Sequence, residues 1–355
     1  MTLLDDIERL VTCESPSTDL AAVARSADVT AEVGTALLGV EPERIVVDGR
    51  THLRWRLGSG RRKVLLLGHH DTVWPIGTLA RIPFEVRDGV LRGPGCFDMK
   101  TGVAMMFHAV ASLGSADGVT ILVTGDEEIG SPSSRELIET EAVQHEAVFV
   151  TEGSADGGAL KTERKGTSMY EVTLHGRASH AGLEPERGVN ATVEAAHQIL
   201  AVARLADPAA GTTVVPTVLS AGTTTNTVPA LGRFTVDVRV RDLDEQLRVD
   251  EAMRRLEPVL DGSRIEVTGG PNRPPLELSS SARLFGLASG LAGFELTQAA
   301  VGGASDGNFT AGLGVPTLDG LGAVGGGAHA ENEHVLVSEL APRTALLAAL
   351  VKELS

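Results

Sequence analysis

A chain of 355 residues, 42% hydrophobic and 22% charged, can bury more than one core, so a globular protein of two domains is expected. A formal net charge of −16 argues against a nucleic-acid partner, which requires clustered Lys and Arg. Two cysteines indicate no disulfide framework, and acids near the start where a signal peptide is basic, with no apolar run of roughly 20 residues, point to a cytoplasmic protein without a membrane partner.

The spacing of Leu4, Ile7, Leu10 and Val11 predicts an opening amphipathic helix, and a second helix is expected over 22–37. Apolar runs at 64–67, 120–123 and 147–150 read as buried strands, separated by helical segments at 101–113 and 134–141. A similar short run lies at 315–318. Strand–helix alternation with continuously apolar strands implies an α/β fold, a mostly parallel mixed sheet with helices on both faces. From about residue 166 the pattern changes. Residues 168–175 alternate as a half-buried strand, 189–205 are helical, and 212–219 and 233–241 are strand-like. Residues 244–260 then read as a helix with Val249, Met253 and Leu256 on one stripe, before a short strand at 264–267. This β-α-β-β-α-β order predicts an α+β domain over 166–275, inserted into a parallel domain made of 1–165 and 276–355.

In parallel sheets the ligand crevice lies beyond the carboxyl ends of the strands. His69, the pair Glu127 and Glu128, and Glu152 each stand just after one of the three apolar runs. In extended chain, residues two apart share a face, so Asp71 can lie beside His69 and accept its second ring N–H, while His70 points away into packing or solvent. Asp98 follows the bend Gly93-Pro94-Gly95; its two oxygens suit two cations about 3.5–4 Å apart, and alone it would read as a helix N-cap. Glu127 and Glu128 diverge if extended, so that one binds metal while the other, as a general base, faces a water. Glu152 alone is an ordinary polar strand end. His329 follows three glycines, which allow close backbone approach, and spacing does not exclude His334 as the ligand instead. Cys96, two residues before Asp98, reads as a small packing residue in a tight bend rather than a reactive thiol. Two histidines and three carboxylates, with one carboxylate shared and Glu127 left over, make the ligand set of a two-metal hydrolase.

GHHDTVWP, GPGCFDMKTG, TGDEEIGSP, GRASHAG, TTTNTVPA and GGAHAENEH, in this order, resemble the zinc-dependent exopeptidase and deacylase family over essentially the whole chain. Glutamate carboxypeptidase, acetylornithine deacetylase, succinyl-diaminopimelate desuccinylase and aminoacylase belong to it. The resemblance implies two zinc ions per subunit, one on His69, Asp98 and Glu152, the other on His329, Asp98 and Glu128. Cobalt or manganese could occupy the same ligands. It further implies Glu127 as general base, Asp71 orienting His69, and a cis peptide after Asp98. The inserted domain corresponds to the family's lid and dimerisation domain. His180 would stabilise the oxyanion in a partner's site, Asn226 and Arg239 match lid positions near substrate, and Arg273 resembles the arginine that binds the substrate carboxylate; otherwise Arg273 would be a surface charge in a Pro-rich hinge.

Glu152 in place of Asp favours carboxypeptidase and deacylase branches over aminopeptidases, and the lid motifs are most similar to glutamate carboxypeptidase. One departure is Gly153, where those enzymes often carry proline. The expectation is a homodimeric di-zinc amidohydrolase that releases a C-terminal, glutamate-like amino acid from a short peptide or N-acyl amino acid. An N-acyl amino acid deacylase is the alternative. A non-catalytic binding protein would be expected to have lost ligands, and a structural zinc site would be closed and Cys-rich.

Overall fold

In the computed structural model, residues 2–355 are described, and they form two compact units, one ending at Arg164 and resuming over Leu276–Ser355, the other comprising Lys165–Pro275.

The first unit opens with helix Leu3–Thr12, whose first turn is closed reciprocally by Thr2 and Asp5 side chains on each other's main-chain N–H. Helix Leu20–Leu38 is capped by Asp19 and stopped by Gly39 in the left-handed region. Its central sheet has six strands in the order Glu43–Val47, Arg50–Arg56, Val119–Thr124, Val64–His69, Ala147–Val150 and Thr317–Leu318. The three strands from Val64–His69 outward to Thr317–Leu318, and their junction with Val119–Thr124, are parallel; the Glu43–Val47 and Arg50–Arg56 hairpin adds antiparallel pairs. The sheet is therefore mixed. Alternation along Val64–His69 explains why the whole run is apolar. Val64 and Leu66 enter one core with Ile7, Trp55, Phe107 and Leu350, whereas Leu65 and Leu67 enter another with Ile138, Val148 and Phe309. Both faces are covered, and each fully buried leucine contributes about 1.5–3 kcal/mol relative to exposure.

The second unit is a four-stranded antiparallel sheet in the order Thr213–Ala221, Leu231–Val240, Gly166–His175, Arg264–Arg273. Helices Ala191–Ala203 and Leu243–Arg254 share a core with Tyr170, Val172, Phe234 and Val236. The helix expected over 244–260 stops at Arg254, because Pro258 can neither donate to that residue's carbonyl nor avoid clashing with it. The last strand, in contrast, runs on to Arg273 instead of ending at 267.

Among the described residues no helix is long and apolar enough to cross a membrane.

Candidate metal centre

The register of three adjacent parallel strands sets the site. His69 pairs with Thr124 and Leu67 with Val150, so His69, the turn after Thr124 and the segment after Val150 leave the sheet side by side. Glu127–Ile129 is a tight helical turn rather than extended chain, and Asp126, fully buried, anchors it by accepting from Ser133 N–H and from the hydroxyls of Ser133 and Ser134.

Asp98 lies in an irregular turn that runs from Gly95, at φ 73°, to the helix Thr101–Ala111, and the Asp98–Met99 peptide is cis. The cap position of that helix belongs to Lys100, so Asp98 is not its N-cap. Asp98 Oδ1 stands 3.3 Å from His69 Nε2, and Oδ2 stands 3.2 Å from His329 Nε2. Glu152 Oε1 is 3.6 Å from His69 Nε2, and Glu128 Oε2 is 3.0 Å from His329 Nε2. His329 reaches the cluster with its own backbone in the left-handed region, φ 62°, after Gly327 at φ 77°. His334 instead points Nδ1 to the carbonyl of Asn332. Glu127 offers an oxygen to the same neighbourhood as His69 and Glu152, so geometry alone allows it as ligand or as base.

Asp71 sits behind the cluster, fully buried. Its carboxylate accepts from the main-chain N–H of Glu127 and Glu128, at 3.2 Å each, and from Ser17 Oγ at 2.5 Å. His69 Nδ1 lies 3.0 Å from the Asp71 carbonyl and 3.4 Å from the carboxylate. A proton on Nδ1 satisfies the carbonyl and leaves the Nε2 lone pair facing Asp98 and Glu152. His70 is buried rather than solvated, with Nε2 donating to the Thr51 carbonyl.

These residues fit a pair of cations. His69 groups with Glu127 and Glu152 on one side and with Asp98 and Glu128 on the other, each set close enough to share an ion, and His69 Nε2 and Glu128 Oε1 are buried with no hydrogen bond. The electrostatics show the same deficit of positive charge. Hydrogen bonds to Asp98 and Glu128 push His329 up to about 10. Burial works against a charged His69, but Asp71, Asp98 and Glu152 outweigh it and hold its pKa well above the usual value. Burial pushes Glu128 up to about 7 against the pull of His329. Burial would also raise Asp98, yet His329 and His69 hold it far below the ordinary carboxylate range.

Several contributors carry no sequence signal of their own. Arg164 grips the fully buried Asp319 through Nε and Nη2, at 2.7 and 3.2 Å, and lies 3.8 Å from Glu152 Oε2. Lys100 donates to the carbonyls of Leu10 and Cys13, and burial pushes it down to about 8. Cys96 is fully buried, and burial pushes its thiol above the usual range, so it is a packing residue.

In the second unit, His180 is exposed at a turn joined to Asn226 through the Ala181 N–H on the Asn226 carbonyl. His180 Nδ1 accepts from the N–H groups of Gly182 and Leu183, which leaves Nε2 as the protonated, donating nitrogen of the neutral ring. Asn226 is exposed. Arg239 is paired side-on with Asp237, at 2.8 and 2.9 Å. Arg273 is 7% exposed at the end of a strand, where its carbonyl accepts from Gln246, so it is not a surface charge in a hinge.

Residues 65–353 match peptidase family M20/M25/M40. The chain is 32% identical over 314 residues to carboxypeptidase G2 of Pseudomonas sp. (strain RS-16), covering 84% of this chain and 75% of the relative. It is 30% identical over 380 residues to a succinyl-diaminopimelate desuccinylase of Cereibacter sphaeroides (strain ATCC 17025), covering 93% and 96%. Among solved structures, the aminopeptidase PepT of Bacillus cereus ATCC 10987 superposes with a TM-score of 0.75 at 22% identity, covering 99% and 98%. The metallo-carboxypeptidase Sso-CP2 of Sulfolobus solfataricus superposes at 0.76 with 16% identity, covering 99% of each chain. At those identities the superpositions speak for the fold.

Proposed function

Since this chain belongs to peptidase family M20/M25/M40 and is a metal-dependent hydrolase, we propose that it is a two-zinc amidohydrolase releasing a C-terminal amino acid from short peptides or N-acyl amino acids. The observation that carries the reading is the Asp98 carboxylate, which presents one oxygen to His69 and the other to His329. In this scheme His69, Asp98 and Glu152 hold one ion and His329, Asp98 and Glu128 the other. Bound cations of this kind act as Lewis acids and ease the deprotonation of water.

The chain's own residues do the rest. Glu127 takes the proton from the attacking water and passes it to the departing amine nitrogen. Asp71 holds His69 in the tautomer that leaves Nε2 free, and fixes the backbone of Glu127 and Glu128. His180 donates its Nε2–H to the developing oxyanion of a partner subunit's substrate. Arg273, with Asn226 and Arg239, selects a free carboxylate on the leaving amino acid, for which a guanidinium fork is suited.

The likeness to carboxypeptidase G2 favours release of a C-terminal amino acid, and the resemblance of the lid motifs to glutamate carboxypeptidase makes a glutamate-like one the first choice. The likeness to a desuccinylase keeps N-acyl amino acid deacylation as the second reading. Amino acid release by zinc-loaded protein, measured across dipeptides, aroyl-glutamates and acetyl- or succinyl-amino acids, decides between them. Preference for C-terminal glutamate supports the first reading, preference by acyl group the second, and no release with both ions bound overturns both. Sedimentation of the protein tests the homodimer.

A further inference from the structure

The sequence between His329 and the final helix carries an acid that the chemistry above does not use. Glu333 is 1% exposed, four residues after His329, and its carboxylate is saturated with donors from a segment more than two hundred residues earlier. Oε1 accepts from the main-chain N–H of Phe97 at 2.8 Å and of Asp98 at 3.0 Å. Oε2 accepts from the N–H of Gly95 at 2.9 Å and from Trp74 Nε1 at 2.8 Å. Those four bonds fill roughly the four acceptor positions of a carboxylate.

We propose that Glu333 is a positioning residue for the metal bridge, its buried carboxylate gathering the Gly95, Phe97 and Asp98 N–H groups and so fixing the Asp98 side chain relative to His329. The turn around Asp98 is irregular: the N–H groups of Cys96 and Lys100 bind the carbonyls of Gly93 and Gly95, whereas those of Gly95, Phe97 and Asp98 find their acceptor in Glu333, which thereby defines the turn. The same residue belongs to the segment that carries His329, and Asp98 Oδ2 lies 3.2 Å from His329 Nε2. One carboxylate therefore ties the shared ligand to the second histidine. A glutamine of the same shape would fail, because it offers one acceptor oxygen and turns an NH2 group toward N–H donors. An isolated structural role in the loop would alter stability alone, whereas a positioning role alters ligand geometry.

The inference rests on Asp98 bridging two ions, and the test separates the two ideas. Metal-stripped wild type and Glu333→Gln are titrated with cobalt(II), read by visible absorption, with thermal unfolding of the metal-free forms alongside. The wild type is expected to bind two cobalt ions; fewer would overturn the two-metal reading itself. Glu333→Gln is expected to bind cobalt about 10- to 100-fold more weakly, with an altered absorption band, while the metal-free protein remains folded. Wild-type affinity and an unchanged band in Glu333→Gln would overturn the inference with the two-metal reading intact. If Glu333→Gln does not fold, Glu333→Asp, which keeps the charge but withdraws the carboxylate by one methylene, carries the same test, and wild-type cobalt binding there would likewise overturn it.

Discussion

Gly153 lies against the face of the Phe97 ring, so closely that a β-carbon on Gly153 would stand 2.3 Å from the nearest ring atom. Phe97 directly precedes Asp98, and Gly153 directly follows Glu152, so this contact joins the backbones of two proposed ligands. The glycine, which departs from the proline common in similar enzymes, is accounted for by the ring it faces.

Gly153→Ala should therefore destabilise the protein by about 1–3 kcal/mol, the usual cost of overpacking. Phe97→Ala should also destabilise, by leaving a cavity. Combined, the two should cost less than their sum, since the small residue at 97 admits the methyl at 153. Chemical unfolding of the single and double variants measures the coupling; strict additivity would show that the two residues do not constrain each other.

Glu127→Gln should lower turnover by about 10²–10⁴-fold while two metal ions per chain are retained. Metal content by elemental analysis, beside kcat, makes the distinction. Because Glu127 shares a neighbourhood with His69 and Glu152, loss of an ion together with activity would reassign it as a ligand.

Removal of metal should leave His69 and His329 holding protons near neutral pH, since the surrounding carboxylates raise both pKa values, that of His329 to about 10. Rebinding must displace those protons. Metal affinity is thus expected to rise with pH through neutrality, with net proton release. Calorimetric titration in buffers of different ionisation enthalpy counts the protons; binding without release would contradict these assignments.

His70 behaves in the opposite sense. Burial pushes it down to about 4 from an ordinary 6.5, so the unfolded chain takes up the proton first. Its neutral form stabilises the fold fully above 6.5, and that contribution is lost as pH falls toward 4, on the order of 3 kcal/mol. His70→Gln should flatten this acid limb in urea unfolding of the metal-free protein. An identical pH dependence in both proteins would remove His70 as its source.

Local pattern was enough to read much of the fold. Runs 64–67, 120–123 and 147–150 are apolar because both faces of the sheet are covered, and such a run announces itself without knowledge of its neighbours. The hairpin Glu43–Val47 and Arg50–Arg56 does not stand out in the hydrophobic pattern, although Asp48-Gly49 at its turn is a hairpin signal, because its arginines obscure the buried Leu53 and Trp55. The residue types at the strand ends were equally visible, and so was their suitability for metal.

What only the tertiary structure decided is where the atoms go. The register of His69 on Thr124, the division of Asp98 between His69 and His329, the pairing of Arg164 with Asp319, and the reach of Glu333 to Asp98 each join distant parts of the chain. Periodicity records the environment of a residue, exposed or buried, and not the identity of its partner. A buried charge such as Glu333 or Arg164 looks in sequence like a surface one, because its partner is supplied by packing rather than by its neighbours along the chain.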